Sequence, residues 1–189
     1  EKLRKLRELL RRANARRCAI FCHHNADPDA IFASHVLSKL LRRLRPRVKC
    51  DIIAAGGGPS ELTRLLMENL VKVRLCDRPR LDRADVLFLV DTNTVQQLDE
   101  WADSVSKFEG PMVVIDHHAV HPRTREMAEL LIVDEGASST CEVVYGLCRA
   151  AGYRLAKEDA LALFLGIAFD TRHFASASAN AFRIAADLI

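Results

Sequence analysis

The sequence predicts an α/β fold with a mostly parallel central sheet flanked by helices, and two observations predict it. Short runs of β-branched and aliphatic residues, Val86-Leu87-Phe88-Leu89-Val90 and Met112-Val113-Val114-Ile115 being the cleanest, are apolar at successive positions, as strands covered on both faces must be. These runs alternate with stretches of helical periodicity, and strand–helix–strand units close into a sheet through right-handed crossovers.

Taken in order, residues 2 to 15 place leucines at 3, 6, 9 and 10 among basic residues, the spacing of an amphipathic helix. Cys18 to Cys22 reads as a buried strand. A polar turn follows, then a helix from about Asp29 to Arg45 that buries Phe32, Val36, Leu37, Leu40, Leu41 and Leu44. Val48 to Ala55 reads as the next strand and ends in Gly56-Gly57-Gly58-Pro59. Ser60 then caps a helix to about Asn69. Val71 to Leu75 is a further strand candidate, as is Leu130 to Val133. Ser139-Thr140-Cys141-Glu142 has the pattern of a capping box opening a helix to about Ala151. Helices close the chain at about Lys157 to Phe169 and Ala179 to Ile189. Residues 1–17 are thus read as a basic amphipathic helix and 18–189 as one compact domain.

With 49% hydrophobic and 28% charged residues over 189 positions, the composition is that of a globular protein, not a disordered one. The chain opens on Glu1 and stops within an apolar-periodic stretch, so it is read as part of a longer protein. No run reaches the roughly 18–20 apolar residues that span a bilayer, and the first 17 residues lack a signal-peptide core. A cytoplasmic location is therefore expected. The six cysteines form no CxxC pair, which suits reduced core thiols better than a disulfide framework or a zinc knuckle. A net charge of +3 does not identify a nucleic-acid binder. Arginines cluster at 11, 12, 16 and 17 and again at 42, 43, 45 and 47; they read as solvated helix ends, with guidance of a polyanionic substrate as the other reading.

The chemistry gathers where strands end. Ligands of open parallel sheets bind beyond the carboxyl ends of the strands. The first strand leads into His23-His24-Asn25-Ala26-Asp27-Pro28-Asp29, the run at 86–90 into Asp91-Thr92-Asn93, and the run at 112–115 into Asp116-His117-His118. Asp29 or Asp91 taken singly reads equally as a helix cap. Asp116-His117-His118, lying directly against a buried strand and capping nothing obvious, is costly to bury without partners. Carboxylates gathered in one small space repel one another, and divalent cations remove that conflict. A set of carboxylates and imidazoles without cysteine favours manganese or magnesium, with zinc or cobalt as alternatives.

His23-x-x-x-Asp27-x-Asp29, the strand-end Asp91, Asp116-His117-His118 and Gly166-Ile167-Ala168-Phe169-Asp170-Thr171 resemble, in order, the four motifs of the DHH phosphoesterase superfamily. The resemblance runs from about residue 18 to the C-terminus. It implies a catalytic domain that hydrolyses phosphodiester or phosphomonoester bonds by a two-metal mechanism, with two divalent ions, manganese preferred and magnesium or cobalt as alternatives. His23, Asp27, Asp91 and Asp170 would hold one ion, and Asp29, Asp91, His117 and Asp170 the other. His118 would face the scissile phosphate, and Asp116 would orient a histidine through a hydrogen bond. His23 fits the family's spacing better than His24. Ser138, Ser139 and Thr140, at a helix start, and Arg172 and His173, after the fourth motif, are the candidates for substrate binding. Related sequences commonly carry glycine where Arg172 stands. His35 and His121 read as structural or surface residues.

The implied substrates are nucleotides or short oligonucleotides, as in the nano-RNase, pAp phosphatase and cyclic dinucleotide phosphodiesterase branches. A RecJ-like single-strand exonuclease is the alternative, and a non-catalytic scaffold for nucleic acid or a partner protein is the further one. Inorganic pyrophosphate fits less well, because the Asp-Pro-Asp-Ala form of the first motif is closer to the nucleotide branch. The family's C-terminal DHH-associated domain is not seen in this chain, and a homodimer is left open.

Overall fold

In the computed structural model, which describes residues 1–189, five strands form one parallel sheet. They are β1 (Arg17–Cys22), β2 (Lys49–Ala54), β3 (Val86–Val90), β4 (Met112–Asp116) and β5 (Leu130–Val133), in the order β2-β1-β3-β4-β5. Eight helices accompany them: α1 (Lys2–Arg12), α2 (Pro28–Leu44), α3 (Glu61–Asn69), α4 (Ala102–Ser106), α5 (Pro122–Met127), α6 (Thr140–Ala150), α7 (Lys157–Asp170) and α8 (Ala179–Leu188).

The inner strands are apolar over Cys18–Cys22, Val86–Val90 and Met112–Ile115 because they have core on both faces, whereas the edge strand β2 carries Lys49 and Asp51. Cys18, Ile20 and Cys22 of β1, with Val86, Phe88 and Val90 of β3, face a large core shared with α1, α2, α6 and α7. Their neighbours Ala19, Phe21, Leu87 and Leu89 face a smaller one. That thinner layer is built by a 3-10 segment at Val95–Trp101 and by α4, with Trp101 tilted against Phe21 at 5.9 Å between ring centroids. Burying each such side chain contributes about 1.5–3 kcal/mol relative to exposure. The leucines at 3, 6, 9 and 10 tie α1 into the larger core.

The α2 helix begins where local chemistry demands. The Asp27 carboxylate accepts from the Ala30 amide, and Pro28 occupies the first turn, where its missing N–H costs nothing. Thirteen residues of this helix are buried, Asp29 among them. Pro46, two residues beyond Leu44, helps to end it.

Two expectations change. Val71 to Leu75 is not a strand: Val71 is buried, but only Cys76 reaches the β2 backbone, donating to the Ile52 carbonyl, and one bond does not make a ladder. The capping box at α6 is also not reciprocal. Ser139 accepts from the Glu142 amide, whereas the Glu142 carboxylate takes the amide of Ser138 and not that of Ser139.

The chain moves outward from β1 to β2, then returns to place β3 on the other side of β1. The resulting crevice lies at the carboxyl ends of β1 and β3, the switch point where doubly wound sheets bind ligands. The arginine clusters lie at the other end. Arg16 and Arg17 open β1, Arg47 precedes β2, and Arg42 and Arg43 close α2, with Arg45 donating to Asn14. They are thus removed from the crevice and fit the reading as solvated ends.

Candidate metal centre

Five segments converge on the crevice: the β1 exit, the start of α2, the β3 exit, the β4 exit and the last residue of α7. Their potential ligand atoms form three overlapping groups: His23, Asp27 and Asp91; Asp91, Asp116, His117 and His118; and Asp29, His117 and Asp170, within 4.8 Å of one another in each group. All six residues read from the sequence as metal ligands are therefore brought together. Asp91 and His117 join the groups to one another.

Both histidines are fixed by their outer nitrogen. His23 Nδ1 donates to the His24 carbonyl at 2.7 Å, which leaves Nε2 facing Asp91 at 3.7 Å and Asp27 at 3.8 Å. His117 Nδ1 lies 3.3 Å from the Ala137 carbonyl, and Nε2 lies 3.1 Å from Asp170 and 3.7 Å from Asp91. A backbone carbonyl on one ring nitrogen is the usual way to present the other to a metal. His24 turns away to Asp99 at 3.2 Å, so His23 is the inward residue of the pair. Gly56, at φ +54, makes this arrangement possible, because a Cβ there would collide with His24 and Asp99.

Charge in the crevice is unbalanced without cations. Burial, then the charge of Asp91, push the Asp27 carboxyl up to about 6. Asp29 is raised well above the ordinary carboxylate range by burial and by Asp91, Asp170 and Asp27. Burial pushes Asp91 up as well, but His23, His117 and the Thr140 hydroxyl more than offset it, and Asp91 sits below the usual range. Burial lowers the imidazoles of His23 and His117, yet their carboxylate neighbours carry both up to about 9. Protons thus fill the role that cations would take. His117 Nε2 is buried, and its neighbours at 3.1 and 3.7 Å are the carboxylates of Asp170 and Asp91, so it points into the acidic group and not at a neutral acceptor. These donors, oxygen and imidazole nitrogen without thiolate, fit hard or borderline divalent ions.

His118 and Asp116 form a separate pair. Asp116, fully buried, accepts at one oxygen from the amides of His117 and His118 and from His118 Nδ1, at 2.7, 2.9 and 2.9 Å. Contrary to the expectation that it caps nothing, Asp116 closes the turn after β4 and orients His118. That hydrogen bond, against the opposing effect of burial, raises the His118 pKa.

The α6 start serves the protein's own carboxylates. The amides of Thr140 and Cys141 donate to Asp29 at 2.6 and 2.9 Å, and the Thr140 hydroxyl donates to Asp91 at 2.9 Å. Ser138 Oγ accepts from the Ser178 amide, and Ser139 caps α6. Of the residues expected to receive a phosphate, Thr140 thus directs its amide and hydroxyl to Asp29 and Asp91, while the Ser138 and Ser139 hydroxyls act here as acceptors from backbone amides. Gly166 lets α7 approach this junction: a Cβ there would strike Cys141 Sγ and lie 3.0 Å from Asp29.

A cavity of about 150 Å³ opens among His23, Asp27, Asp91, Asn93, Gln97, His118 and Asp170, with no hydrophobic residue in its wall. Asn93 and Gln97 were not singled out by the sequence. Their only signal is position, two and six residues beyond Asp91. A larger groove, about 1330 Å³, runs between α1, β5, α6 and α8, but its mixed lining brings none of the metal-type residues together. The smaller cavity is where the metal-type side chains gather.

The profile of the DHH family, N-terminal domain, matches residues 17–167. The chain belongs to the DHH family. An uncharacterised protein from Methanocaldococcus jannaschii is 30% identical over 183 residues, which cover 96% of this chain and 54% of that protein. The crystal structure of an exopolyphosphatase-related protein from Bacteroides fragilis superposes with a TM-score of 0.80 at 25% identity, over 99% of this chain and 55% of the other. A manganese-bound RecJ exonuclease aligns more loosely, at 17% identity and a TM-score of 0.48 over 88% of this chain and 42% of the other. The DHH chain described here spans about half the length of these relatives.

Arg172 and His173 follow the fourth DHH motif, are exposed, and lie outside the cavity wall. With Phe174 they form three consecutive left-handed residues, at φ +50, +57 and +68. Glycine adopts such a backbone freely, whereas arginine does not. Left-handed backbone costs an L-residue about 1–2 kcal/mol, more than the roughly 0.5–1 kcal/mol of extra chain entropy that glycine brings. Arg172→Gly is expected to stabilise the fold by about 0.5–1 kcal/mol. Urea unfolding measures it, and a destabilised variant would show that the arginine side chain makes compensating contacts.

Proposed function

We propose that this DHH domain hydrolyses phosphodiester or phosphomonoester bonds of nucleotides or short oligonucleotides, using two divalent cations with manganese preferred. The observation that carries the proposal is the convergence of His23, Asp27, Asp29, Asp91, His117 and Asp170 at the sheet's switch point, with His117 Nε2 facing Asp170 at 3.1 Å and Asp91 at 3.7 Å. His23, Asp27 and Asp91 would hold one ion, and Asp29, His117 and Asp170 the other, with Asp91 close to both. When bound, such ions polarise the phosphoryl group and activate a water nucleophile at neutral pH.

The chain's own residues supply the rest. His118 donates through Nδ1 to Asp116, which leaves Nε2 free and favours the protonated imidazole over the neutral one. It lines the cavity and is the candidate to protonate the departing oxygen, with Asp116 holding its orientation. A cavity of about 150 Å³ has room for a phosphoryl group and water but is smaller than ordinary nucleotide pockets of about 300–1,000 Å³. The nucleoside part of a substrate therefore lies outside it. Arg172 and His173, exposed beyond Asp170, remain candidates for that outer contact. A cytoplasmic setting accords with the free cysteines.

Inorganic polyphosphate is the second reading, suggested by the description of the Bacteroides fragilis protein as exopolyphosphatase-related. The test is release of mononucleotide from pApA, and of phosphate from polyphosphate, by the purified chain with manganese or with a chelator, beside Asp91→Asn. Manganese-dependent cleavage of pApA that the variant lacks is the expected result. Polyphosphate cleavage alone would replace the substrate class. Metal binding without turnover of either would favour the scaffold reading.

A further inference from the structure

Thr140 has no place in the scheme above, yet it touches two of its carboxylates. It is fully buried at the first position of α6, opposite the crevice from the strand that carries Asp91. Its amide donates to Asp29 Oδ2 at 2.6 Å and its hydroxyl to Asp91 Oδ1 at 2.9 Å. Asp29 comes from the first turn of α2 and Asp91 from the end of β3, so one residue fixes the spacing between two acidic groups that repel each other.

Asp91 needs such a tie. It sits at φ +53, a left-handed conformation that leaves its backbone poorly anchored by local preference. Its two oxygens address different partners: Oδ2 lies 3.7 Å from His23, whereas Oδ1 lies 3.7 Å from His117 and 3.6 Å from His118. A half-turn of the carboxylate only swaps equivalent oxygens, but a quarter-turn would take both off these partners. The hydrogen bond from the Thr140 hydroxyl resists that turn and holds the carboxylate plane in which one oxygen meets His23 and the other meets His117 and His118.

We infer that Thr140 is a positioning residue that sets the orientation of the Asp91 carboxylate and registers it against Asp29, so that both divalent-ion positions are formed before ions arrive. The inference rests on the metal-site reading above. It concerns the metal-free protein's geometry, and so it can be read without turnover.

Thr140→Val keeps the shape and the amide but removes the hydroxyl donor; Thr140→Ser keeps the donor and removes the methyl. Manganese binding to the purified chain, followed by electron paramagnetic resonance of the free ion, reads the difference, and thermal melting with a chelator reports whether each variant is folded. Removal of a group that orients a metal ligand typically weakens metal binding about 10–100-fold. Thr140→Val is expected to bind manganese at least about tenfold more weakly than the parent, with Thr140→Ser within about threefold of it. Parental affinity in a folded Thr140→Val, or equal weakness in folded Thr140→Ser, would overturn the role of the hydroxyl. If Thr140→Val does not fold, Thr140→Ser decides alone: retained affinity supports the inference and loss refutes it. Failure of the parent chain itself to bind manganese would remove the metal-site reading, a result distinct from either variant's behaviour.

Discussion

Asp91→Asn is expected to lower metal-dependent phosphoester hydrolysis by at least about a thousandfold, equivalent to about 4 kcal/mol of transition-state stabilisation. The size of the effect follows from position. Asp91 belongs to the group of His23 and Asp27, and its other oxygen lies 3.7 Å from His117 of the second position, so its charge bears on both, whereas Asp27 belongs to one group only and Asp29 to the other. Asparagine keeps the shape and one acceptor for Thr140, so a lost activity reports charge more than packing. With that acceptor kept on Thr140, the oxygen proposed to meet the ion beside His23 becomes an amide group that donates toward His23. The check is a steady-state rate on pApA with manganese, together with far-ultraviolet circular dichroism to confirm the fold. A rate within tenfold of the parent would remove Asp91 from the centre of the assignment. Loss in Asp91→Asn but not in His117→Ala would instead confine the reaction to the ion position beside His23.

Why that residue could be found from sequence is a matter of local contrast. Asp91, like His23 and Asp116-His117-His118, follows directly on a run of apolar residues, and a charged group in that place stands out before any fold is known. The strand order then brings these ends together, which the alternation of strands and helices already implied. Asp170 was legible only through the resemblance of the segment around it, since a carboxylate ending a helix has no local peculiarity. Features made by tertiary contact were not legible. The 3-10 segment at Val95–Trp101 and the short helix α4 are held by Val95, Leu98 and Val105 in the thin core, not by periodicity. The turn at Arg172, His173 and Phe174 runs against the local preference of each residue. Asp116 looked uncommitted because the amides it accepts are its own next two neighbours, a geometry that a sequence pattern does not disclose. Thr140 read as part of a cap because its long-range bond to Asp91 crosses 49 positions.

Removing divalent ions should make stability fall as pH rises from about 6.5 to 9, and adding them should restore it. His23 and His117 ordinarily titrate near 6.5 and are carried up to about 9 in the metal-free fold. A group whose folded pKa is raised contributes stability that is complete below its unfolded value and is lost as pH rises through the folded one. Both histidines therefore act in the same direction across this window. Asp27, raised to about 6, adds the same sign between about 4 and 6, but there His35 opposes it: burial lowers its pKa, so its contribution is lost as pH falls. Above 6.5 His35 no longer opposes, Asp29 and His118, both raised, act with the same sign, and Cys50, lowered, acts against it, so variants of His23 and His117 are what isolate the two imidazoles. Cation binding displaces protons from the imidazoles, so affinity should rise through the same interval. At a free manganese concentration about 100 times the dissociation constant, linkage gives about 2.7 kcal/mol, or roughly 5–10 °C in Tm for a domain of this size. Differential scanning fluorimetry from pH 6.5 to 8.5, with chelator and with manganese, measures both effects. A Tm in chelator that rises with pH would contradict the pairing of these histidines with carboxylates. A manganese increment that is absent at every pH would contradict the metal centre itself. If both trends hold and His23→Gln with His117→Gln flattens the chelator curve, the two imidazoles are the groups that exchange protons for metal.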